Sequence, residues 1–307
     1  MPYGKDDARS ALPTATAKPV PEEMSGSEYA RFYDRDPDRE GPGVRIWYAR
    51  GQNFVLGYGE VEGHAVLDFD EREEHVLLLP DPDGHARVTT PEEVAEASGQ
   101  SLVILPPGTA SVEFEGTLRF VSLVRSTSAT AMLAENAASY LTPHANIPPF
   151  VAWPDPPGGF RVRVYDTTVP PVPGSAFRIY RCTTFMVNVI DPKRGPRDRA
   201  KLSPHHHDDF EQCSLVLEGE YVHHLRWPWG TDANRWREDE HERIGAPSVA
   251  VIPPPSVHTS EAVSPGTNHL IDIFSPPRED FSLMPGWVVN ADEYPMPDPG
   301  AEAVAGA

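Results

Sequence analysis

The chain of 307 residues has 39% hydrophobic side chains, which is enough apolar material for one large domain or two modest ones. It carries 26 basic and 46 acidic residues, and the resulting formal net charge of −20 repels the phosphates of nucleic acids and anionic membranes. We therefore expect no nucleic acid and no membrane as partners, but a small-molecule substrate, with a homodimer as one possible assembly.

The first residues, MPYGKDDARSALP, lack the apolar segment of a signal peptide, and no run in the sequence approaches the length of a membrane span. These features predict a cytoplasmic protein. In that compartment the two cysteines, Cys182 and Cys213, are expected to be reduced core residues rather than a disulfide.

The N-terminal half divides into an arm and a series of strands. Residues 1–43 are rich in Pro, Ala and charge and show little periodicity, which predicts a mobile arm. Residues 44–127 contain short β-branched runs such as VRIWYA, HVLLLP and SLVILPP, separated by Gly, Pro and Asp. This pattern is typical of a β-sandwich or barrel.

The second half repeats this organisation. Residues 128–160 are predicted to form a connection, with a helix over TSATAMLAENAAS followed by a proline-rich linker. Residues 161–290 form a second series of strand-like runs, and residues 291–307 are read as a tail. The sequence therefore predicts an all-β protein of two domains.

The most informative stretch is PHHHDDFEQCSLVLEG, residues 204–219. In an extended segment His205 and His207 point to the same side, with His206 on the other side. Far downstream, VIPPPSVHTS supplies His258 directly after a proline turn. Spacing of this kind favours a metal site, whereas the alternative is a solvated histidine-rich turn and a core histidine.

These two stretches resemble the motifs of the cupin superfamily. Its first motif has two His separated by one residue, then Glu or Gln after three or four residues, then Gly after six more; its second is a proline turn followed by a third His. The second motif departs from the pattern, because Ser256 replaces the usual turn glycine and the usual Asn after the His is missing. The resemblance implies two jelly-roll barrels, a bicupin, with one divalent metal in the mouth of the second.

The fourth ligand is either Glu211 or Gln212, since a strand can point only one of two neighbours inward. The six-residue step to Gly219 favours Gln212, whereas Glu211 fits the shorter spacing from His207. A set of three imidazoles and one amide suits Zn, Ni, Fe, Mn or Cu. It leaves the metal charge uncompensated, which favours an anionic or enolisable oxygen substrate.

The segment NHLIDIFSPPREDF, residues 268–281, adds candidate catalytic groups. On a strand Asp272 and Phe274 share one face. The segment resembles the single-cupin enzymes that linearise 4,5-unsaturated uronates, and the resemblance implies functional roles for Asp272, Phe274 and Arg278. A carboxylate beside a metal can transfer protons, and an arginine fork can hold a substrate carboxylate. The alternatives are an Asp that caps a turn and an Arg that pairs with Glu279 or Asp280.

The N-terminal domain is expected to carry no metal. At the positions of the four ligands it has only carboxylates and a hydroxyl, and the residues concerned are Asp68, Asp70, Glu74 and Ser111. A site without imidazole binds transition metals poorly. We therefore interpret this half as a degenerate cupin with a structural role, in which Asp68 and Asp70 point outward.

Several further residues are weaker candidates. Of the neighbouring His223 and His224, one must face the barrel interior. Arg181, Met186 and Asn188 could line a pocket. Trp227, Trp229 and Trp236 lie in one hairpin, where they could stack on a ligand or pack beneath the loop.

The leading functional hypothesis is a metal-dependent isomerase or lyase that acts on a small carboxylated, carbohydrate-like or enolisable substrate. A second hypothesis is an Fe or Cu dioxygenase that cleaves a ring or a C–C bond, and a third is a ligand-binding bicupin without activity. No residues for an organic cofactor are predicted.

Overall fold

The computed structural model describes residues 22–173, 175 and 177–298, and most of its regular structure is strand. The first nine strands are β1 (Glu28–Arg31), β2 (Arg39–Gly41), β3 (Val44–Arg50), β4 (Phe54–Glu71), β5 (His75–Leu79), β6 (His85–Thr89), β7 (Val94–Ser98), β8 (Ser101–Leu105) and β9 (Gly108–Arg125). The remaining strands are β10 (Arg163–Asp166), β11 (Phe177–Arg181), β12 (Met186–Ile190), β13 (Lys193–Arg194), β14 (Glu211–Glu218), β15 (Glu220–Arg226), β16 (Glu240–Gly245), β17 (Ser248–Ile252), β18 (Val257–Ala262) and β19 (Thr267–Ser275), followed by a short helix α1 (Glu279–Ser282).

The strands form two antiparallel units. The first is a nine-stranded sheet with the order β10-β8-β5-β9-β4-β3-β2, to which β6 and β7 are attached through β9. The second combines a sheet of the order β1-β17-β14-β19-β12-β11, with β13 paired to β19, and a three-stranded sheet β16-β15-β18. The predicted all-β architecture with two barrels is thereby confirmed.

The two barrels pack against each other through one face of their main sheets. Leu56 and Leu123 of the first barrel belong to the same buried cluster as Leu215 and Ile273 of the second. Side chains alternate along a strand, so the neighbours of these residues point into their own barrel. Because the central strands are buried on both faces, they read as nearly continuous apolar runs in the sequence.

The interiors of the two barrels differ. Aliphatic and aromatic side chains fill the first, including a stacked pair of Phe114 and Phe120 with ring centroids 4.7 Å apart. The second has an apolar base, where Phe210, Phe274 and Phe281 pack together. Its other end retains polar side chains around an open cavity.

Each barrel borrows a strand from the other half of the chain. Strand β1 pairs with β17 of the second barrel, and β10 pairs with β8 of the first. The prediction of a mobile arm is therefore wrong for the C-terminal part of residues 1–43, because β1 pairs with an open sheet edge and Phe32 is buried between the barrels. Residues 1–21 lie outside the described part of the chain. The predicted domain boundary at residue 161 is wrong for the same reason, since β10 belongs to the first sheet.

The predicted helix over residues 128–140 is also wrong. The segment forms two separate 3₁₀ turns, Ala129–Met132 and Ala137–Tyr140. Between them the Asn136 side chain accepts a hydrogen bond from Arg50 N at 2.9 Å and donates one to Arg50 O at 2.8 Å. These tertiary bonds pin the chain to β3 and override the local helix propensity.

Two further predictions concern the cysteines and the tail. Cys182 and Cys213 are both buried and unbridged, as predicted. The first part of the tail is docked, because Tyr294 is buried and its hydroxyl donates to Glu74 at 2.8 Å. The residues after 298 lie outside the described range. Among the described residues we find no helix with the length and apolar character needed to cross a membrane.

Candidate functional site

The second barrel contains a cavity of about 490 Å³ at its open end. Its walls come from strands of both sheets and from the segment between β13 and β14. The lining residues include His205, Gln212, His258, Asn188, Asp272 and Arg278. Three of the four predicted metal ligands and all three predicted catalytic residues, Asp272, Phe274 and Arg278, therefore face one common space.

The three predicted histidine ligands lie together. His205 and His258 form an isolated β-bridge, with N···O distances of 3.0 and 2.8 Å, which fixes their backbones side by side. The ring of His258 has its centroid 4.5 Å from that of His205 and 5.0 Å from that of His207. His206 is exposed on the other side of the segment, as the alternation predicted.

Gln212 points into the same group. Its Oε1 atom lies 3.3 Å from Nε2 of His207 and 3.1 Å from Nε2 of His258. Burial, followed by the proximity of His258 and Arg278, holds the pKa of His207 well below its usual value. A ring of this kind stays neutral at pH 7, which is the form that coordinates a metal.

Backbone carbonyls set the tautomer of two of the rings. Nδ1 of His258 lies 2.9 Å from the carbonyl oxygen of Ser256, and Nδ1 of His205 lies 3.1 Å from that of Ser203. Since a carbonyl only accepts, each Nδ1 must donate, and in a neutral ring Nε2 then carries a lone pair. The Nε2 lone pair of His258 consequently faces another acceptor, Oε1 of Gln212, and this contact becomes favourable when a cation is shared between the two atoms.

Glu211, the alternative fourth ligand, points away from the cavity. Its carboxylate accepts hydrogen bonds from the backbone N–H groups of Gln52 at 2.8 Å and Asn53 at 2.7 Å, in the β3–β4 turn of the other barrel. Burial raises its pKa to about 7. The side-chain directions therefore match the register that favours Gln212.

Asp272 lies next to Gln212 on the neighbouring strand. Its Oδ1 atom accepts hydrogen bonds from Gln212 Nε2 at 3.0 Å and from Ser214 Oγ at 2.6 Å. Two donors on one carboxylate oxygen fix the orientation of the group. Ser214 was not predicted as a site residue, although its position two residues after Gln212 places it on the same face of β14.

Phe274 belongs to the apolar base of the cavity, and the guanidinium of Arg278 lies against this base. Arg278 is 2% exposed and makes a two-pronged ion pair with Asp280, with distances of 3.0 and 2.7 Å. This is the pairing that the sequence analysis kept as an alternative. The guanidinium also lies 3.5 Å above the ring centroid of Phe281 and 4.8 Å from that of Phe274.

Of the weaker candidates, some face the cavity and others do not. Asn188 lines it, whereas Arg181 donates to the carbonyl of Tyr294 at 3.1 Å and Met186 lies in the core. His223 is the buried member of its histidine pair. Trp227 is buried in an apolar cluster with Ala250 and Ile252. Trp229 and Trp236 stack on each other at the surface with centroids 4.4 Å apart.

The first barrel lacks these groups. Asp68 and Asp70 are exposed and point outward, as expected, and Ser111 pairs with Asp68 across the sheet. Glu74 corresponds to Glu211 rather than to a ligand, because it too reaches into the opposite barrel and accepts from Thr183 N at 3.0 Å. The next residue, His75, is buried at the position that Gln212 occupies in the second barrel.

His75 gives a pH-dependent prediction. Burial lowers its pKa from 6.5 to about 4, so between these values the unfolded chain binds a proton that the folded protein does not. We expect the free energy of unfolding to fall as the pH drops from 6.5 towards 4, and a His75→Leu variant to lose about 2–3 kcal/mol less over this range. Urea unfolding at pH 7 and pH 4.5 measures this, with the exposed His64→Leu as control. Equal losses in wild type and His75→Leu would contradict it.

The described part of the chain contains no group of three or more His, Cys, Asp or Glu side chains that could by themselves hold a metal ion. The set described above instead has three imidazoles and one amide. Its chemistry fits a transition metal, because the Nε2 atoms of His207 and His258 both lie within 3.3 Å of one amide oxygen, and the Ser256 carbonyl fixes the His258 ring with its lone pair on Nε2.

No protein-family model and no curated protein sequence matches the chain. Solved structures do match: AerE from Microcystis aeruginosa has a TM-score of 0.52 and 11% identity and covers 77% of this chain and 94% of its own. The oxalate decarboxylase of Lactobacillus farciminis, in a formate complex, has a TM-score of 0.56 and 13% identity, with 84% and 88% coverage. A mutant of the Bacillus subtilis oxalate decarboxylase has a TM-score of 0.55 and 13% identity, with 94% and 85% coverage.

These similarities extend over both barrels and establish the fold. The chain has the two-barrel jelly-roll fold of the bicupins. The finer resemblance to the uronate-linearising cupins is carried by residues 268–281 and stays a prediction.

Proposed function

We propose that the protein is a metal-dependent isomerase or lyase acting on a small carboxylated, carbohydrate-like or enolisable substrate in the second barrel. The observation that carries this proposal is that His207 and His258 both contact Gln212, which lines a cavity of about 490 Å³ together with His258 and a fixed carboxylate, Asp272. A volume of this size accommodates a small organic molecule.

The metal ligands in this proposal are His205, His207, Gln212 and His258. When bound, one divalent Zn, Ni, Fe, Mn or Cu ion supplies Lewis acidity and polarises a substrate oxygen. Ser203 and Ser256 support the site, because their carbonyl groups hold two of the imidazoles in the tautomer that presents Nε2. Supporting contacts of this kind commonly orient metal-binding histidines.

Asp272 is the proposed proton carrier. Gln212 and Ser214 hold its Oδ1 atom, so the carboxylate keeps a fixed orientation towards the cavity. A carboxylate held next to an acidified C–H or O–H group can take the proton and return it elsewhere. Transfer between two carbons gives isomerisation, whereas loss of a leaving group after proton removal gives a lyase reaction.

Arg278 is the proposed partner of the substrate carboxylate. Its guanidinium lines the cavity and is held rigid by Asp280 and the ring of Phe281. A guanidinium that is already ordered loses little entropy when it binds an anion. Phe274 contributes an apolar surface below it, which excludes water from the reacting centre.

The experiment that tests the proposal is elemental analysis of the purified protein. We expect close to one transition-metal ion per chain, and its loss in the His205→Ala/His258→Ala variant, because two of the imidazole ligands are removed. His206→Ala is a matched control, since this neighbour is exposed and should retain the metal. A wild-type protein that stays metal-free after growth and refolding with added metal would contradict the proposal.

The alternative is an Fe or Cu dioxygenase that cleaves a ring or a C–C bond with O₂. Oxalate decarboxylases among the similar structures cleave a C–C bond, so C–C cleavage is compatible with the fold. Oxygen electrode measurements during a substrate screen discriminate between the classes. Oxygen uptake in proportion to product would replace the isomerase or lyase by the dioxygenase, and a metal-free, inactive protein would favour a ligand-binding role.

A further inference from the structure

The cavity wall contains a buried hydrogen-bond acceptor without a donor. Asn188 lies on β12, where it points into the barrel while its neighbours Val187 and Val189 face the other barrel. The side chain is 4% exposed, and its Oδ1 atom has no hydrogen-bond partner among the described residues. Buried carbonyl groups are almost always satisfied in native proteins, so an orphan that lines a cavity indicates a ligand that donates.

The position of Asn188 is informative. It pairs across the strands with Asp272, so its carbonyl lies beside the proposed proton carrier. A hydroxyl group between these two side chains could donate to Asn188 while its carbon is close to Asp272. If the ligand instead placed an ionised carboxylate at this point, it would have no donor to offer, and Asn188 Oδ1 would stay unsatisfied.

The rim of the same cavity is basic, although the chain as a whole is strongly acidic. The segment of residues 191–203, DPKRGPRDRAKLS, has five Lys or Arg and two Asp, against a total charge of −20. Lys193 and Arg194 line the cavity, and their strand is fixed on the rim by pairing with Asn268 and Thr267 of β19. A basic rim on an acidic protein concentrates small anions at this opening.

The rim and Asn188 are far enough apart to contact different groups of one ligand. Lys193 pairs with Asn268 and Asn188 with Asp272, so the two positions differ by four residues along β19. Four residues of a strand span about 13 Å, of which a long basic side chain covers roughly half. A ligand of several carbons fits between them.

We propose that the substrate is a hydroxycarboxylate, whose hydroxyl donates to Asn188 Oδ1, whose carboxylate is the one assigned above to Arg278, and which Lys193 and Arg194 attract into the opening of the cavity. This inference rests on the proposed function, because it concerns the substrate class of the same cavity. It makes Asn188 a specificity-determining residue. Sites that hydrogen-bond a substrate hydroxyl reject the analogue without it, because the protein group is then left unpaired.

The test compares acids that differ only in one hydroxyl. Isothermal titration calorimetry on the metal-loaded full-length protein uses malate against succinate and 4-hydroxybutyrate against butyrate, because in these acids several carbons separate the hydroxyl from a carboxylate. We expect the hydroxylated member of each pair to bind at least about tenfold more tightly. In Asn188→Leu, which keeps a similar volume without the acceptor, the ratio should fall to within about twofold.

A charge variant separates the two halves of the proposal. Lys193→Ala/Arg194→Ala should weaken both members of a pair equally and leave their ratio intact, because the carboxylate is common to both. The control Arg199→Ala/Lys201→Ala removes the same charge from the same segment at residues outside the cavity lining and should have a smaller effect.

Equal binding of both members to the wild type, an unchanged ratio in Asn188→Leu, or no binding by any member would overturn the inference. The metal content of the protein is measured before each titration. If the proposed function is wrong, the protein contains no metal; if only the substrate class is wrong, the protein contains metal but shows one of the three results above.

Discussion

Replacement of Asp272 by Asn is expected to lower the rate of proton transfer at least about a hundredfold and to leave fold and metal content unchanged. The carboxylate is the proposed proton carrier, and an amide cannot take up a proton at this position. The Oδ1 atom of Asn can still accept the hydrogen bonds from Gln212 and Ser214, so the local structure should persist.

The measurement does not require the product to be known. Exchange of acidic C–H groups with solvent deuterium, followed by NMR, reports proton removal from hydroxy acids, their keto counterparts and unsaturated uronates. Asp191→Asn is a matched control, because Asp191 lines the same cavity at its rim and is exposed. Exchange at the wild-type rate in Asp272→Asn would eliminate the proposed role, and loss of metal in this variant would show that its effect is structural.

Local periodicity accounted for most of the candidate site. The alternation of a strand predicted that Asp272 and Phe274 share a face, and the spacing to Gly219 favoured Gln212 over Glu211; the side-chain directions agree. Gly219 itself has a φ of +83° in the turn after β14, and a Cβ there would lie 2.6 Å from the carbonyl oxygen of Thr267. The motif therefore ends on a residue that the backbone conformation requires.

Pairing over long distances was not predictable from local pattern. Strand β1 is a four-residue segment within a polar stretch, and only the open edge of β17 makes it a strand. The same holds for β10 on the edge of β8. The orphan acceptor of Asn188 also escaped prediction, because whether a buried amide finds a donor depends on all the strands that surround it.

The basic rim is visible in the sequence as a local excess of cations. Five cations within residues 191–203 stand out in a chain of net charge −20. In the first barrel the β4 region has Glu60 and Glu62 near the corresponding place, opposite Arg119 and Thr117 of β9. The contrast between the two halves distinguishes the barrel with a cavity from the filled one by charge as well as by histidine content.

The interface between the barrels provides the second prediction with a large effect. Glu211 accepts two backbone N–H groups from the β3–β4 turn of the first barrel. Glu74 makes the matching contact in the opposite direction, accepting from Thr183 N at 3.0 Å and Thr183 Oγ1 at 2.9 Å in the β11–β12 turn. Each barrel therefore closes the hairpin turn of the other with one buried carboxylate.

We expect Glu211→Ala to lower the free energy of unfolding by about 2–5 kcal/mol, because two buried N–H groups lose their acceptor and a cavity remains. Glu74→Ala should have an effect of similar size, since one buried N–H group and the hydroxyls of Thr183 and Tyr294 lose their acceptor. Urea unfolding measures both, with the exposed Glu92→Ala as control, for which a change within about 0.5 kcal/mol is expected.

A comparison of Glu211→Ala with Gln212→Ala, its neighbour on β14, tests the register of the strand. Gln212→Ala should weaken metal retention on dialysis against a chelator more than Glu211→Ala, whereas Glu211→Ala should be the more destabilising of the two. The two rankings run in opposite directions because the side chains leave β14 on opposite faces, one towards the cavity and one towards the other barrel. If Glu211→Ala lost the metal while Gln212→Ala retained it, the assignment of the fourth ligand would be wrong by one residue.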